Sequence, residues 1–172
     1  MVDKNEMKLL EAFSFGEIEE GEFLQSFPVN LLENKDYLIT LVNEAWKDKN
    51  EDDLTTLLDV IAMLDFYEEF DLQGIYRDLL SENWHRMHEE LIDSLDKKVE
   101  NEGAFISVLN TEFEYYKGGE EDFMVPIWSK CLWSLYAIHS KSAIDEISKY
   151  QNSKFEYLRE TSKKLMSKLE NE

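Results

Sequence analysis

Two histidines and two glutamates are spaced so that they could bind a metal ion. Glu82 lies three residues before His85, and a helix would make these side chains neighbours. His88 and Glu89 follow one turn later. A carboxylate-bridged di-iron bundle needs two Glu-x-x-His motifs and two further glutamates from other helices, and the chain has one such motif. The zinc-protease order His-Glu-x-x-His is not met either, so we predict no metal site.

The apolar residues around these histidines favour a packing role instead. They recur at helical spacing and predict a helix that begins near Ser81, with His88 on its buried face and His85 at the edge of that face. An enzyme or metal protein centred on Glu82, His85, His88 and Glu89 is an alternative hypothesis. The stripe consists of Trp84, Met87, His88, Leu91, Ile92 and Leu95.

Other residues that could act in catalysis lack the neighbouring groups that a reaction needs. Cys131 is the only cysteine, so it can form no intramolecular disulfide, and its apolar surroundings are typical of a buried small hydrophobe. Carboxylate pairs such as Glu68-Glu69 and Glu120-Glu121 have no identifiable pocket that would separate their pKa values. The chain contains no phosphate-binding glycine loop, nucleophile elbow or EF-hand spacing. We therefore expect a protein that is not an enzyme and uses no cofactor.

The charge of the chain is strongly negative and unevenly distributed. There are 38 acidic and 18 basic residues, a net charge of -20, and residues 141–172 are almost neutral, with 6 acidic and 7 basic side chains. Such an acidic body repels nucleic acid and attracts cationic surfaces over a Debye length of roughly 8 Å. We therefore expect a basic protein partner and no binding to nucleic acid. Without a signal-peptide pattern or an apolar run of the roughly 18 residues that a membrane span needs, we expect a cytoplasmic protein with no membrane partner.

The elements that position these residues are predicted to be helices throughout. Hydrophobic residues make up 43% of the sequence, and their spacing of three and four predicts a single all-helical domain over residues 1–172. One helix is predicted from Asp36 to Lys49 and the next after Asn50, a good N-cap, so that the short connection makes them antiparallel neighbours. Further helices are predicted over 7–13, 72–80, 105–116 and 123–138, the last with Pro126 in its first turn, and after caps at Ser140 and at Asn152 or Ser153.

The chain resembles HEAT-like α-helical repeats at one junction. Residues 130–147 read Lys-Cys-Leu-Trp-Ser-Leu-Tyr-Ala-Ile-His-Ser-Lys-Ser-Ala-Ile-Asp-Glu-Ile, and they are similar to a repeat in which one helix ends in Leu-x-x-Ile and the next opens with Ala-Ile. The segments Leu57–Leu64 and Glu90–Leu95 resemble the inner helix of such a repeat. The resemblance covers residues 35–170 and implies antiparallel helix pairs stacked as a short HEAT-like α-solenoid, with residues 1–34 as a less regular N-terminal cap.

Acidic residues are interleaved with aromatic residues near several of the expected turns. Carboxylates beside aromatic rings suit the docking of Lys and Arg, through charge pairing and cation–π contact. Acids at helix N-termini are also stabilising by themselves, by about 0.3–1 kcal/mol each, so an interaction surface and an ordinary solvated face both remain open. The predicted partner-binding residues are Asp52, Asp53, Tyr67, Glu68, Glu69, Phe70, Asp71, Glu114, Tyr115, Tyr116, Glu120, Glu121 and Asp122.

The combination of small size, helical repeats, acidity and no catalytic motif is similar to the HEAT-like immunity proteins of bacterial polymorphic toxin systems. That resemblance implies a non-enzymatic inhibitor that binds a cognate toxin, in many cases a nuclease, and blocks its active site. The alternative is an acidic helical-repeat adaptor or scaffold that binds a peptide or helix of a cellular partner.

Overall fold

The computed structural model describes residues 3–66, 72–111, 113 and 121–171, without the side chains of residues 121–123. Within these ranges the chain forms ten α-helices and no strand, which confirms the all-helical prediction. None of the helices in these ranges is long and apolar enough to cross a lipid bilayer. The chain divides into two compact units, residues 1–72 and residues 73–172.

In the first unit, residues 3–66 form four α-helices: α1 (Lys4–Ser14), α2 (Glu20–Ser26), α3 (Asp36–Asp48) and α4 (Glu51–Met63). Asp3 caps α1, because its carboxylate accepts a hydrogen bond from the backbone N–H of Asn5 at 2.8 Å. Helix α1 packs on α2 and α4. The ring of Phe13 stacks on that of Phe23 at 4.4 Å, so aromatic packing joins α1 to α2 in the core of this unit.

Helices α3 and α4 confirm the two consecutive helices predicted from Asp36 to Lys49 and after Asn50. They contact each other and are joined by Lys49 and Asn50 alone. Lys49 adopts a left-handed conformation with φ of 53°, which ends α3, and the Asn50 side chain accepts from the Asp53 N–H to begin α4. The buried faces are made of Leu38, Leu41, Val42 and Ala45 on α3 and of Leu54, Leu57, Leu58, Val60 and Ile61 on α4.

The described residues of the second unit form six α-helices: α5 (Leu72–Leu79, of which Leu72 belongs to the first unit), α6 (His88–Ser94), α7 (Glu102–Asn110), α8 (Glu121–Ile138), α9 (Lys141–Lys149) and α10 (Glu156–Leu169). Two 3₁₀ helices, Val99–Asn101 and Tyr150–Asn152, precede α7 and follow α9. Helix α8 contacts α6, α7, α9 and α10, which explains why its apolar residues cover more than one face. Ser140 caps α9 as predicted, accepting from the Ala143 N–H at 2.9 Å.

The prediction that a helix begins near Ser81 is wrong, because α6 begins only at His88. In the preceding segment, side chains form hydrogen bonds with nearby backbone groups and hold the chain in a non-helical conformation. Nε2 of His85 forms a hydrogen bond with the Leu79 carbonyl at 2.9 Å, and the Met87 N–H donates to His85 Nδ1 at 3.2 Å. Ser81 donates to the Asp78 carbonyl at 2.7 Å instead of capping a helix. These side-chain bonds replace the backbone ladder that periodicity predicts.

Three other predicted boundaries are also corrected. Helix α8 begins at Glu121, so Pro126 lies in its second turn, where it cannot donate to the carbonyl four residues earlier. Helix α7 ends at Asn110 rather than near residue 116, with the Thr111 hydroxyl donating back to the Ser107 carbonyl. Helix α10 begins at Glu156, not after a cap at Asn152 or Ser153.

Candidate protein-binding surface

The start of α4 is the part of the predicted binding surface that the structure describes in full. Asp52 is exposed and Asp53 is half-buried. Asn50 occupies the N-cap position, and its side-chain oxygen lies 3.3 Å from the Asp53 backbone nitrogen. The two aspartates therefore leave the capping to Asn50, and their carboxylates lie in the first turn of the helix, where the dipole favours negative charge.

The negative charges of carboxylates on three helices act on Asp53. Burial raises the pKa of Asp53 most, and the negative charges of Glu11, Asp52 and Asp48 raise it further, while the hydrogen bond with Asn50 opposes the change. The charge of Glu11 reaches Asp53 because α1 packs on α4, and that of Asp48 because only two residues separate the end of α3 from the start of α4. We call Glu11, Asp48, Asp52 and Asp53 the acidic cluster.

Stabilisation of helix ends accounts for only part of this cluster. Asp52 and Asp53 interact favourably with the dipole of α4. Asp48 lies in the last turn of α3, where a negative charge is unfavourable, and Glu11 lies in the C-terminal half of α1. The cluster brings together like charges that local helix stability does not require. A Lys or Arg side chain placed among them would relieve this repulsion.

The charge of the surrounding unit reinforces the cluster. Residues 1–72 contain 19 acidic and 5 basic side chains, whereas residues 73–172 contain 19 acidic and 13 basic side chains. The excess of negative charge is therefore greatest in the unit that contains the acidic cluster, and a cationic surface would be drawn to that unit over roughly a Debye length of 8 Å.

Most of the other predicted partner-binding residues lie outside the described part of the chain. Glu121 and Asp122 are the first two residues of α8, and their side chains are not described. The residues that lie outside the described ranges are Tyr67, Glu68, Glu69, Phe70, Asp71, Glu114, Tyr115, Tyr116 and Glu120.

The two histidines singled out for metal chemistry are packed in the interior of the second unit. Neither His85 nor His88 is exposed to solvent, and their rings stack at 4.5 Å. Phe113 lies 4.1 Å from the His88 ring and Trp84 lies 5.1 Å from the His85 ring, centroid to centroid. Within the described ranges, no three His, Cys, Asp or Glu residues gather as metal ligands would.

Cys131 lies on α8 and is fully buried. Burial raises the pKa of its thiol, and the nearby charge of Lys97 opposes this only in part. The group is therefore a protonated thiol at neutral pH rather than the thiolate that a nucleophile or a metal ligand must be.

Sequence reasoning missed the contributions of Glu11 and Asp48 to the cluster. Glu11 is 42 positions from Asp53 along the chain, so no spacing rule joins them. A signal was available for Asp48, because the short connection after it predicts that α3 and α4 are neighbours. None was available for Glu11, because the amphipathic pattern of α1 does not indicate which helix α1 packs against.

The chain matches no protein-family model, no curated protein and no solved structure.

Proposed function

We propose that this chain is a non-enzymatic protein-binding module whose acidic surface captures a basic protein, and that the partner is a toxin which it neutralises. The observation that carries the proposal is that the half-buried Asp53 lies in the negative field of Glu11, Asp48 and Asp52, within a unit of 19 acidic and 5 basic side chains. Such crowding lowers the stability of the free protein and is relieved when a cation binds. It is the arrangement expected of a surface whose function is to bind positive charge.

Binding of a basic partner would gain both speed and affinity from this surface. Complementary charge raises association rates by about 10–10³-fold, and the gain falls as salt screens it. A partner such as a nuclease holds phosphate groups with Lys and Arg, so an acidic surface would occupy the residues that bind its substrate. Inhibition then needs no chemistry from the bound protein.

The proposed architecture is a short stack of antiparallel helix pairs like that of HEAT-like repeats. Two features support it. Lys49 and Asn50 alone connect α3 to α4, and His139 and Ser140 alone connect α8 to α9, and in each case the joined helices are in contact. Connections this short are typical of helical hairpins.

The test uses the full chain as bait in an extract of its native cells, with bound proteins compared between variants. The key variant is D52N/D53N, which removes two charges at the start of α4. The matched control is E100Q/E156Q, which removes the same charge at two exposed sites of the second unit. We expect D52N/D53N to lose a basic protein by at least about tenfold, equivalent to ~1.4 kcal/mol, while the control retains it.

Two further measurements decide between inhibitor and adaptor. Affinity for the captured protein should fall steeply as salt rises from about 50 mM to about 500 mM, whereas an affinity that does not change would favour the adaptor function. The captured protein, expressed alone, should arrest growth, and co-expression of the wild-type chain but not of D52N/D53N should relieve the arrest. A captured protein without toxicity would contradict the toxin-inhibitor proposal.

A further inference from the structure

An open groove lies in the first unit, beside the N-terminal end of α3. Eight residues between Val29 and Thr40 line it, and its volume is about 770 Å³. This volume is within the range of roughly 300–1,000 Å³ that is usual for ligand-binding sites. It has room for several residues of an extended peptide. All of its lining residues belong to the described part of the chain.

The groove presents apolar side chains next to carboxylates. Val29 is half-buried, while Leu32 is 58% exposed. Glu33 and Asp36 are both exposed beside them. The remaining charged group, the ammonium of Lys35, lies 4.8 Å from the centroid of the Phe66 ring and makes a cation–π contact there. The groove therefore combines an exposed aliphatic surface with two carboxylates.

Hydrogen bonds within the chain hold the lining in place. The backbone N–H groups of Glu33 and Asn34 both donate to the Asn30 carbonyl, at 3.2 and 3.0 Å, and the Asn34 side chain donates to the same oxygen. The Tyr37 hydroxyl donates to Glu6 of α1 at 2.9 Å. Burial and this bond raise the pKa of Tyr37 to about 12, so the hydroxyl keeps its proton and the bond persists at neutral pH. A lining held in this way loses little freedom when a ligand binds.

We propose that this groove binds an extended segment of the basic partner in which Lys or Arg alternates with apolar residues. The methylene stems and apolar residues would lie along Leu32 and Val29, and the cationic groups would reach Glu33 and Asp36. Lys and Arg commonly bury their stems on apolar surface while the charge remains in a polar environment. The inference rests on the proposed function, because it assigns the partner's basic chemistry to a second site in the same acidic unit.

The test measures binding of a fluorescein-labelled peptide of four Leu-Arg repeats to the full chain by fluorescence anisotropy. A lysine tetramer of the same charge, with no apolar residues, shows the purely electrostatic contribution. The first variant is L32S, and its matched control is F15S, since Phe15 is an exposed apolar residue of the same unit outside the groove. The second variant is E33Q/D36N, and its matched control is E17Q/E22Q, which removes the same charge at exposed positions.

We expect L32S and E33Q/D36N each to weaken Leu-Arg peptide binding by about tenfold, and each control to change it by less than about threefold. L32S should leave binding of the lysine tetramer unchanged. Because Asp36 lies in the first turn of α3, the single variant E33Q, whose side chain is outside any helix, serves as a check on folding. It should weaken binding without changing the melting temperature.

Equal effects of L32S and F15S, or a loss only in E33Q/D36N, would overturn the proposal, because the aliphatic surface would then contribute nothing. This failure is distinguishable from failure of the proposed function. If the groove variants bind normally but D52N/D53N loses the natural partner, the acidic-surface proposal stands and only the groove is excluded.

Discussion

Acidification should destabilise the second unit through His88. This ring is fully buried, and its Nε2 lies 2.9 Å from the Glu82 carbonyl. Because a carbonyl can only accept, Nε2 carries the proton of the neutral ring and Nδ1 is bare. Nδ1 has no hydrogen-bond partner in the described part of the chain. A second proton on the ring would therefore be buried without an acceptor.

The magnitude follows from the pKa of His88. Burial and then the neighbouring His85 ring lower this pKa from 6.5 to about 4, while the bond with the Glu82 carbonyl opposes the change. Above pH 6.5 neither the folded nor the unfolded state binds the proton. As the pH falls from 6.5 to 4, His88 binds a proton in the unfolded state but not in the folded state, so the free energy of unfolding decreases. At 1.36 kcal/mol for each factor of ten, the total loss is ~3 kcal/mol.

The assay is urea unfolding followed by tryptophan fluorescence at several pH values between about 7 and about 4. The wild type is compared with His88→Gln, which cannot titrate in this range. His139→Asn is the control, because His139 is exposed and has a φ of 57°, a conformation that Asn tolerates. The carboxylates are the same in all three proteins, so their contribution cancels in the differences.

We expect the advantage of the wild type over His88→Gln to shrink by ~3 kcal/mol between pH 7 and pH 4, while His139→Asn follows the wild type. A difference that stays constant within about 0.5 kcal/mol would refute the reasoning, since His88 would then titrate alike in the folded and unfolded states.

Three further predictions concern single residues. Lys49→Gly should raise the free energy of unfolding by about 1 kcal/mol, because a φ of 53° is unfavourable for any residue with a Cβ atom. Lys47→Gly inside α3 should lower the free energy of unfolding by a similar amount. Lys97→Met should lower the melting temperature and reduce the free energy of unfolding by about 1–3 kcal/mol. The reason is that the Lys97 ammonium donates to the carbonyls of Ile92 and Leu95 at the end of α6. Cys131 should react with a thiol reagent such as DTNB only after unfolding, because burial shields the thiol and raises its pKa. Rapid reaction of the native protein would contradict that placement.

Where local information was sufficient, the sequence predicted the structure accurately. Helices α3 and α4, the connection between them and the Asn50 cap were all predicted, because each depends on residues only a few positions apart. Ser140 at the start of α9 is a similar case. Capping and amphipathic periodicity depend on neighbours three or four positions away, so a single sequence contains them.

Predictions failed where a side chain bonds the backbone in place of the helical ladder. His85 bonds the Leu79 carbonyl six residues earlier, which holds the chain before α6 in a non-helical path despite its helical pattern. Periodicity reports which face is apolar, but it does not report which carbonyl a buried ring will reach.

The sequence by itself determined that the chain is helical and acidic, and that the first 72 residues hold 19 acidic against 5 basic side chains. Both properties are sums over local composition and spacing. Only the tertiary structure decided that the charge of Glu11 acts on Asp53, because this depends on α1 packing against α4. It likewise decided that Leu32, Glu33 and Asp36 line one groove. Such sites arise from the packing of apolar faces, and a face can be read from the sequence while its partner cannot.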